Sequence, residues 1–355
     1  MKDIEPIVTS TGEVGVSQRS FNRIYYNGER LVESYDQLTD SYQSLSEQMD
    51  SSQEISRSVV RVVATKDVVR ETVLDIDFFK QIEVLVPVSC DKNEWLMVVA
   101  KNKPGRDTNR SLLTMVSETE EYTDFNKTFP QRLRDVLGQG FNFSSEIAGF
   151  EESLLEIWGE TFGWSLMEIY NLSHRLRRER FIKKEDKTVW FSAVKSGEDI
   201  IAAAMAERLR LPIKHGRYID LVESTEWKTR KASEGRHLMT AALINLNCQI
   251  LSDLSDEIGS NPFIFAECNF TTRSDRAAHG AGFVIPKRLT MGVFVPQILK
   301  QNVAVVDGRE PKDGLRDFTF VCLPKDSTDN LYSRDRVDEV LRAVEGKTYE
   351  YSSNL

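Results

Sequence analysis

The chain has 355 residues, of which 40% are hydrophobic and 28% charged, so it is long enough and apolar enough for two globular domains. Its 46 basic and 55 acidic residues leave a formal net charge of −9, which argues against a general electrostatic affinity for nucleic acid or anionic lipid. We expect a cytoplasmic protein without membrane association, because no apolar run is long enough to cross a bilayer and the first residues do not resemble a signal peptide.

The cysteines give no sign of a metal or redox centre. They are far apart in sequence and form no CxxC pair, so we expect buried, reduced thiols and no bound metal. The four are Cys90, Cys248, Cys268 and Cys322.

The amino-terminal region begins with polar residues. Residues 1–28 show no sustained period, so we expect an irregular arm. Apolar residues then recur at alternating steps of four and three, which predicts a helix. The stripe consists of Leu31, Tyr35, Leu38, Tyr42, Leu45 and Met49. Because the stripe is short, it favours a helix packed across its own domain over a dimerisation helix. A homodimer is kept as an alternative.

Strand patterns follow this helix. Between residues 58 and 117, β-branched and apolar runs are separated by polar or Pro/Gly-containing segments, which indicates strands joined by turns. The runs are VVRVVAT, IEVLVPVSC, EWLMVVAK and SLLTMVS. A short helix is predicted for TFPQRLRDVLGQG, with Pro130 near its start and glycines at its end. We therefore expect an α+β amino-terminal domain over residues 29–145, for which the sequence indicates no role.

Residues 146–326 show a different order of elements. Helical spacing predicts two helices between Glu151 and Phe181, interrupted at Gly163. Three strands, a long helix, a strand, a short helix and late strands follow in the segments VWFSAVK, IIAAAMAERLRL, RYIDLVEST, RHLMTAALINLNCQILSDL, FIFAECNF, SDRAAHGAG, MGVFV, NVAVV and FTFVCLP. This alternation predicts an α/β (α+β) fold class, with a mixed sheet covered by helices on both faces. Residues 327–355 are predicted to form a carboxyl-terminal helix and tail.

The segment RKASEGRHLM joins a predicted strand to the long helix. Gly235 lets the backbone approach a ligand closely, and the free N–H groups of a first helical turn favour an anion such as pyrophosphate. Basic side chains add positive charge, namely Arg230, Lys231, Arg236 and His237. Taken alone, the segment favours an ordinary helix start capped by Ser233 with solvated basic side chains.

The order of elements over about 175 residues resembles the GNAT superfamily of acyl-CoA N-acyltransferases. That family's signature is Gln or Arg, two residues, Gly, one residue, then Gly or Ala. It is met by Arg230, Ser233 and Gly235, with Ser233 replacing the first glycine and Leu238 at the apolar helix position. A second landmark, a strand and then a helix ending in Gly-Phe, is met by Gly282 and Phe283.

Within the superfamily, the pattern looks most similar to the β-lysine N-acetyltransferases. The segments that carry this resemblance are ETFGWSLMEI, AAAMAE, YIDLVESTEW and RHLM. It implies acetyl-CoA, or another acyl-CoA, as co-substrate and a primary amine of a small amino-acid-like molecule as acceptor.

The resemblance also implies catalytic residues. In GNAT-like folds the third strand splays from its neighbour and presents a carboxylate to the amine, for which Glu223 is the preferred general base and Asp220 the second. Alternation places these two carboxylates on opposite faces of the strand. Ala278 stands where many GNAT enzymes carry the tyrosine that protonates the thiolate, which leaves His279 and Tyr218 as candidate acids.

Binding residues are predicted in the same way. Glu267 and Glu168, with Trp164, are predicted to bind the acceptor, although aromatic residues at helical spacing are more often part of a core. The predicted cofactor-binding residues are Thr225, Arg230, Lys231, Ser233, Glu234, Gly235, Arg236, His237 and Asn269.

The predicted function is acyl transfer, in the first place acetyl transfer, from CoA to a primary amine. Two alternatives stay open. Ser233 and Ala278 favour a GNAT-shaped binding module without catalysis, and the uninterpreted first half leaves room for a macromolecular acceptor. The basic cluster between Arg175 and Lys184 favours a solvated helix face over a nucleic-acid site, because it is short and has little aromatic interleaving.

Overall fold

The computed structural model describes residues 4–8, 14–20, 23–52, 55, 57–79, 81–87, 93–102, 133–233, 237–254, 262–269, 274–283, 298–301, 315–323 and 332–352. The predicted strands SLLTMVS, MGVFV and NVAVV lie outside these residues.

The amino-terminal half forms a six-stranded sheet in the order β1-β2-β3-β4-β6-β5. Its strands are β1 (Ile4–Val8), β2 (Val14–Ser20), β3 (Arg23–Asn27), β4 (Arg57–Thr65), β5 (Ile82–Pro87) and β6 (Glu94–Asn102). Only β3 and β4 pair in parallel among the described strands of this sheet. The helices of this half are α1 (Tyr35–Ser51), α2 (Lys66–Leu74) and α3 (Ile76–Phe79).

The first three strands differ from the irregular arm predicted for residues 1–28. β1 pairs with β2, β2 with β3, and β3 with β4, which lies about 30 residues further along the chain. The strands are thus defined by pairing partners, including a distant one, and a local sequence pattern carries little information about such pairing.

Helix α1 packs on its own sheet, as its stripe predicted. Leu38, Leu45 and Met49 are fully buried in a cluster that contains the core residues of β4 and β6. The helix begins with a capping box, in which Ser34 Oγ accepts from the Gln37 N–H and Gln37 Oε1 accepts from the Ser34 N–H.

The second half forms a seven-stranded mixed sheet in the order β12-β13-β11-β10-β9-β8-β7. Its strands are β7 (Asn142–Ser144), β8 (Val189–Ser196), β9 (Asp199–Pro212), β10 (Tyr218–Thr229), β11 (Phe263–Asn269), β12 (Ile298–Gln301) and β13 (Leu315–Cys322). Its helices are α4 (133–138), α5 (Glu151–Phe162), α6 (Leu166–Glu179), α7 (Leu238–Leu254), α8 (Ser274–Gly280) and α9 (Arg334–Ser352). This mixed sheet with flanking helices confirms the predicted fold class, and the order from α5 to β13 is the one the GNAT resemblance implies.

The predicted boundary at residue 145 stays a prediction. Just before it, β7 pairs with β8, and Leu133 and Val136 of α4 are buried in the same cluster as α7. Gly140, at φ +83°, follows α4 and ends the helix before β7, an edge strand of the second sheet.

The two sheets share a core. From Ala203 onward the residues of β9 alternate between faces. On one face, Ala203 and Met205 pack under α5 and α6, while Leu211 packs under the first sheet. Ile219 and Phe265 extend this shared cluster into β10 and β11. The first sheet therefore covers the same face of the second sheet as α5 and α6.

No helix in the described part of the chain is long and apolar enough to span a membrane.

Replacing Leu38 by alanine should lower the free energy of unfolding by about 2–5 kcal/mol, because the change opens a cavity between α1 and its sheet. Urea denaturation measures the loss, with the exposed Gln43→Ala on the same helix as the matched control, expected within about 0.5 kcal/mol of wild type. Equal stabilities for the two variants would contradict this packing.

Candidate active site

The second sheet opens between its two parallel strands. Leu221, Val222 and Glu223 of β10 pair with Phe263, Ile264 and Phe265 of β11. Both strands run on towards their carboxyl ends, but among the described residues their mutual pairing stops there. Beyond Glu223, the edge of β10 that faces β11 therefore has no pairing with β11 among the described residues.

A bulge in β10 accompanies this opening. The register with β9 shifts between Thr225 and Lys228, and Glu226 has φ +56°. An extra residue of this kind bends and twists a strand, which turns β10 away from β11. Trp227 fixes the bulge, because its Nε1 donates to Ser224 Oγ at 2.9 Å and its ring centroid lies 5.8 Å from that of Phe283.

Helix α7 begins at the same end of the sheet. After β10 the chain makes a 3₁₀ turn at Lys231–Ser233, and the His237 carbonyl accepts the first helical hydrogen bond, from the Ala241 N–H, at 3.0 Å. The amides of the first turn have no intrahelical acceptors and give this end a partial positive charge. Glu234, Gly235 and Arg236 lie outside the described residues.

Arg230, predicted to bind phosphate, is engaged with protein groups. Its Nε donates to the Ile200 carbonyl at 2.8 Å, and its Nη2 contacts Ser153 Oγ at 3.0 Å and Glu156 Oε2 at 2.7 Å. The guanidinium therefore links the amino-terminal half of α5 to the start of β9. Of the other predicted cofactor residues, Lys231 and His237 are exposed, and Thr225 and Ser233 are half-buried.

Glu223, the predicted base, lies at the mouth of the opening and is paired with the first sheet. Its Oε2 accepts from Arg61 Nη2 at 2.9 Å, with the arginine side chain 13% and the glutamate side chain 26% exposed. The Arg61 guanidinium also lies over two aromatic rings, 4.6 Å from the centroid of Tyr25 and 5.9 Å from that of Phe265. Packing against these two rings fixes the orientation of the guanidinium beside the second sheet.

The charge on Arg61 is maintained by its neighbours. Burial acts to lower the pKa of Arg61, but Glu223, Tyr25 and Glu267 act in the other direction and the pKa is raised overall. Glu267 lies on the same face of β11 as Phe265 by alternation. The predicted base and a predicted acceptor-binding carboxylate therefore surround one guanidinium. Asn269 is the last residue of β11, and its side chain lies outside the described part of the structure.

Asp220 and Tyr218 do not reach this mouth. Asp220 is buried on the opposite face, where its Oδ1 accepts from Arg208 Nε at 2.6 Å and from Arg210 Nε at 3.1 Å. Tyr218 is half-exposed at the amino end of β10, which at a strand rise of about 3.3 Å per residue is roughly 23 Å from Thr225. The carboxyl-terminal opening and these two side chains are therefore separate.

His279 lies in α8, the helix that follows β11. Its Nδ1 is 3.1 Å from the Phe283 carbonyl oxygen, which ties the ring to the end of its own helix.

Glu168 and Trp164, which were predicted to bind the acceptor, belong to a helix cap and to the edge of a core. Glu168 Oε2 accepts from the Ser165 N–H at 2.7 Å, and Ser165 Oγ accepts from the Glu168 N–H at 3.3 Å, which is a capping box at the start of α6. Trp164 packs against the buried Trp158, with ring centroids 5.1 Å apart. The sequence pattern Ser-x-x-Glu, formed by Ser165 and Glu168, already indicated the capping box.

Sequence reasoning missed the contribution of the first sheet. Arg61 lies within the apolar run VVRVVAT, and a charged residue inside a buried strand needs a partner. That requirement could have marked Arg61 as a site residue, but not which carboxylate it meets.

The cysteines match the expectation of free thiols where they are described. Cys248, Cys268 and Cys322 are buried and are not in disulfide bonds. Burial raises the pKa of Cys322 to about 12 and that of Cys248 above its ordinary range, so these thiols are unsuited to nucleophilic chemistry. Among the described residues, no group of three or more His, Cys, Asp or Glu side chains could hold a metal ion.

No protein-family model matches this chain, and no curated protein sequence matches it. Solved structures with a similar fold include an N-acetyltransferase from Staphylococcus aureus Mu50, at 11% identity over 52% of this chain and 97% of that chain, with a TM-score of 0.36. An acetyltransferase from Trypanosoma brucei matches at 15% identity over 42% of this chain and 96% of that chain, with a TM-score of 0.31. A glucosamine-6-phosphate N-acetyltransferase from Arabidopsis thaliana matches at 12% identity, 43% and 97% coverage and a TM-score of 0.31. At these identities and TM-scores the likeness carries no argument about the activity of this chain.

Replacing Asp220 by asparagine should lower the free energy of unfolding by about 3–5 kcal/mol, because it leaves the buried guanidinium of Arg208 without its carboxylate. Asp67→Asn is the control, since Asp67 is 87% exposed and its pair with Arg70 spans 4.0 Å. A loss of activity from Asp220→Asn at unchanged urea midpoint would show instead that Asp220 acts in catalysis.

Proposed function

We propose that this chain is an acyl-CoA-dependent N-acyltransferase that transfers an acetyl group to a primary amine of a small amino-acid-like acceptor. The observation that carries the proposal is the divergence of β10 and β11 beyond Glu223 and Phe265, with the start of α7 at the same end. An extended ligand with an anionic head fits such an opening.

Two parts of the opening suit an acyl-CoA. The edge of β10 beyond its pairing with β11 can pair with the amide groups of an extended arm, in the way an added strand pairs with a sheet edge. The first turn of α7 can accept the diphosphate at its free amides. When bound there, acyl-CoA supplies a thioester carbonyl that an amine can attack.

The residues at the mouth supply the remaining chemistry. The amine must lose a proton as its nitrogen forms the new bond to the acyl carbon, and Glu223 is placed to take that proton. The carbon–sulfur bond then breaks, and the sulfur leaves as a thiolate or receives a proton from His279. Burial of Arg61 and Glu223 limits water in this region, which strengthens their interactions with a bound amine.

Several observations bear on the alternative functions. Ala278 is fully buried and offers no proton, and Arg230 is occupied by protein groups, which favours a binding module without catalysis. The contact between Arg61 and Glu223 joins the first sheet to β10, and this restricted space supports a small acceptor over a macromolecular one. The narrower resemblance to β-lysine N-acetyltransferases, the cytoplasmic location and a homodimer remain predictions.

Acetyl-CoA or CoA at about 100 times its Kd should stabilise the folded chain by about 2.7 kcal/mol, because a ligand that binds only the folded state shifts the unfolding equilibrium. Thermal unfolding with and without each ligand measures this shift. Gly235→Glu should abolish it by placing a carboxylate at the anion site, and Gly138→Glu should keep it, since a Cβ at Gly138 meets no atom within 4 Å. No shift for wild type at saturating ligand would rule out the proposed function.

Replacing Glu223 by glutamine should lower kcat about 10²–10⁴-fold, since the variant cannot accept the amine's proton, while the stabilisation by acetyl-CoA should persist. Steady-state acetylation of a panel of primary amines measures kcat. Glu207→Gln is the matched control, because Glu207 lies directly across from Glu223 on β9 and its carboxylate binds Arg175. Equal kcat values for the two variants would exclude Glu223 as the base.

A further inference from the structure

The first sheet presents a set of polar groups to the mouth of the opening. β3 and β4 pair in parallel with Tyr25 opposite Val59 and Asn27 opposite Arg61. Register partners in a sheet share a face, and so do residues two apart on a strand. Tyr25, Asn27 and Arg61 therefore lie on one face, the face on which Arg61 contacts Glu223 and Phe265.

Asn27 brings a buried acceptor without a donor. The residue is 9% exposed, and its Oδ1 is buried with no hydrogen-bond partner among the residues that the structure describes. Leaving such a group unsatisfied costs about 1–3 kcal/mol, and folded proteins rarely tolerate it. A ligand that donates a hydrogen bond to Oδ1 removes this cost.

Arg61 brings donors beyond those in use. A guanidinium has five N–H donors, and within the described residues the hydrogen bond of this side chain is the one from Nη2 to Glu223. The remaining donors belong to a side chain that is 13% exposed. Two carboxylates, those of Glu223 and Glu267, stabilise its positive charge. An anionic group of a ligand is the natural partner for them.

We propose that the amino-terminal half completes the acceptor site, and that the acceptor is a small zwitterion with a primary amine close to a carboxylate. The carboxylate binds Arg61, and the amine binds Asn27 Oδ1, Glu223 and Glu267. This inference rests on the proposed acyl transfer and adds the acceptor's second charge and the residues that recognise it.

The existing ion pair explains why both charges are required. Arg61 and Glu223 are 2.9 Å apart and largely buried, so separating them without replacing either partner is costly. A zwitterion exchanges the pair, because its amine takes the place of the guanidinium at Glu223 and its carboxylate takes the place of Glu223 at Arg61. A simple amine leaves the Arg61 guanidinium without that replacement.

Matched pairs of acceptors test this inference in the full-length protein with acetyl-CoA. The probes are α-amino acids and the amines that lack their carboxylate, such as lysine and cadaverine, or alanine and ethylamine. Wild type should favour the amino acid by about 100-fold in kcat/KM, and Arg61→Met should remove that preference by lowering kcat/KM for the amino acid about 100-fold and for the amine less than about threefold. Arg70→Met, at an exposed arginine, is the control and should keep the preference.

Asn27→Leu gives a second test that does not depend on the ion pair. The variant should unfold at the same or a higher temperature than wild type, because it removes an unsatisfied buried oxygen, yet raise the KM of the amino acid about tenfold. A purely structural Asn27 would give the opposite result, a lower unfolding temperature at unchanged KM.

The outcomes separate this inference from the function on which it rests. Turnover of the simple amines at least as efficient as that of the amino acids overturns the zwitterion acceptor and leaves acyl transfer standing. Failure of every amino acid while acetyl-CoA still stabilises the protein also overturns it. Absence of both turnover and stabilisation by acetyl-CoA rejects the proposed function itself.

Discussion

The short parallel ladder between β10 and β11 is the constraint on which the second half of the protein depends. Val222 and Ile264, buried within it, join β11, β13 and β12 to the rest of the sheet. If the ladder were longer, the sheet would be closed and would have no place for an extended ligand. If it were absent, the sheet would fall into two parts. The bulge at Glu226 reconciles these demands, because it keeps β10 paired with β9 while releasing it from β11.

The amino-terminal sheet gives this opening a second wall. Its core merges with that of the seven-stranded sheet through Leu211, Ile219 and Phe265, so the position of Arg61 is fixed by hydrophobic packing rather than by its ion pair alone. A charge held in this way adds little to stability, since desolvation offsets most of the attraction. Its value lies in orientation, because the packing holds the guanidinium beside Glu223 and within the electrostatic influence of Glu267.

The sequence predicted what depends on local pattern and left out what depends on distant partners. The stripe that ends at Met49, the described apolar strands and the long helix after His237 each carry their own period, and these elements lie where they were expected, although the first helix begins at Tyr35 rather than at Leu31. The contact of Arg61 with Glu223 joins residues far apart in the chain, and no local pattern specifies it. Glu168 shows the reverse, because a local capping box explains a residue that family resemblance had placed in the acceptor site.

Hydrogen exchange of the backbone amides in residues 224–229, with and without CoA, would show whether CoA lies in the opening between β10 and β11. If CoA lies between the two strands and pairs with the edge of β10, these amides should exchange more slowly when CoA is bound, and the amides at the start of α7 should slow with them. Binding of CoA that leaves residues 224–229 unchanged and protects another part of the chain would contradict the account, because the opening between β10 and β11 would then not be the acyl-CoA site.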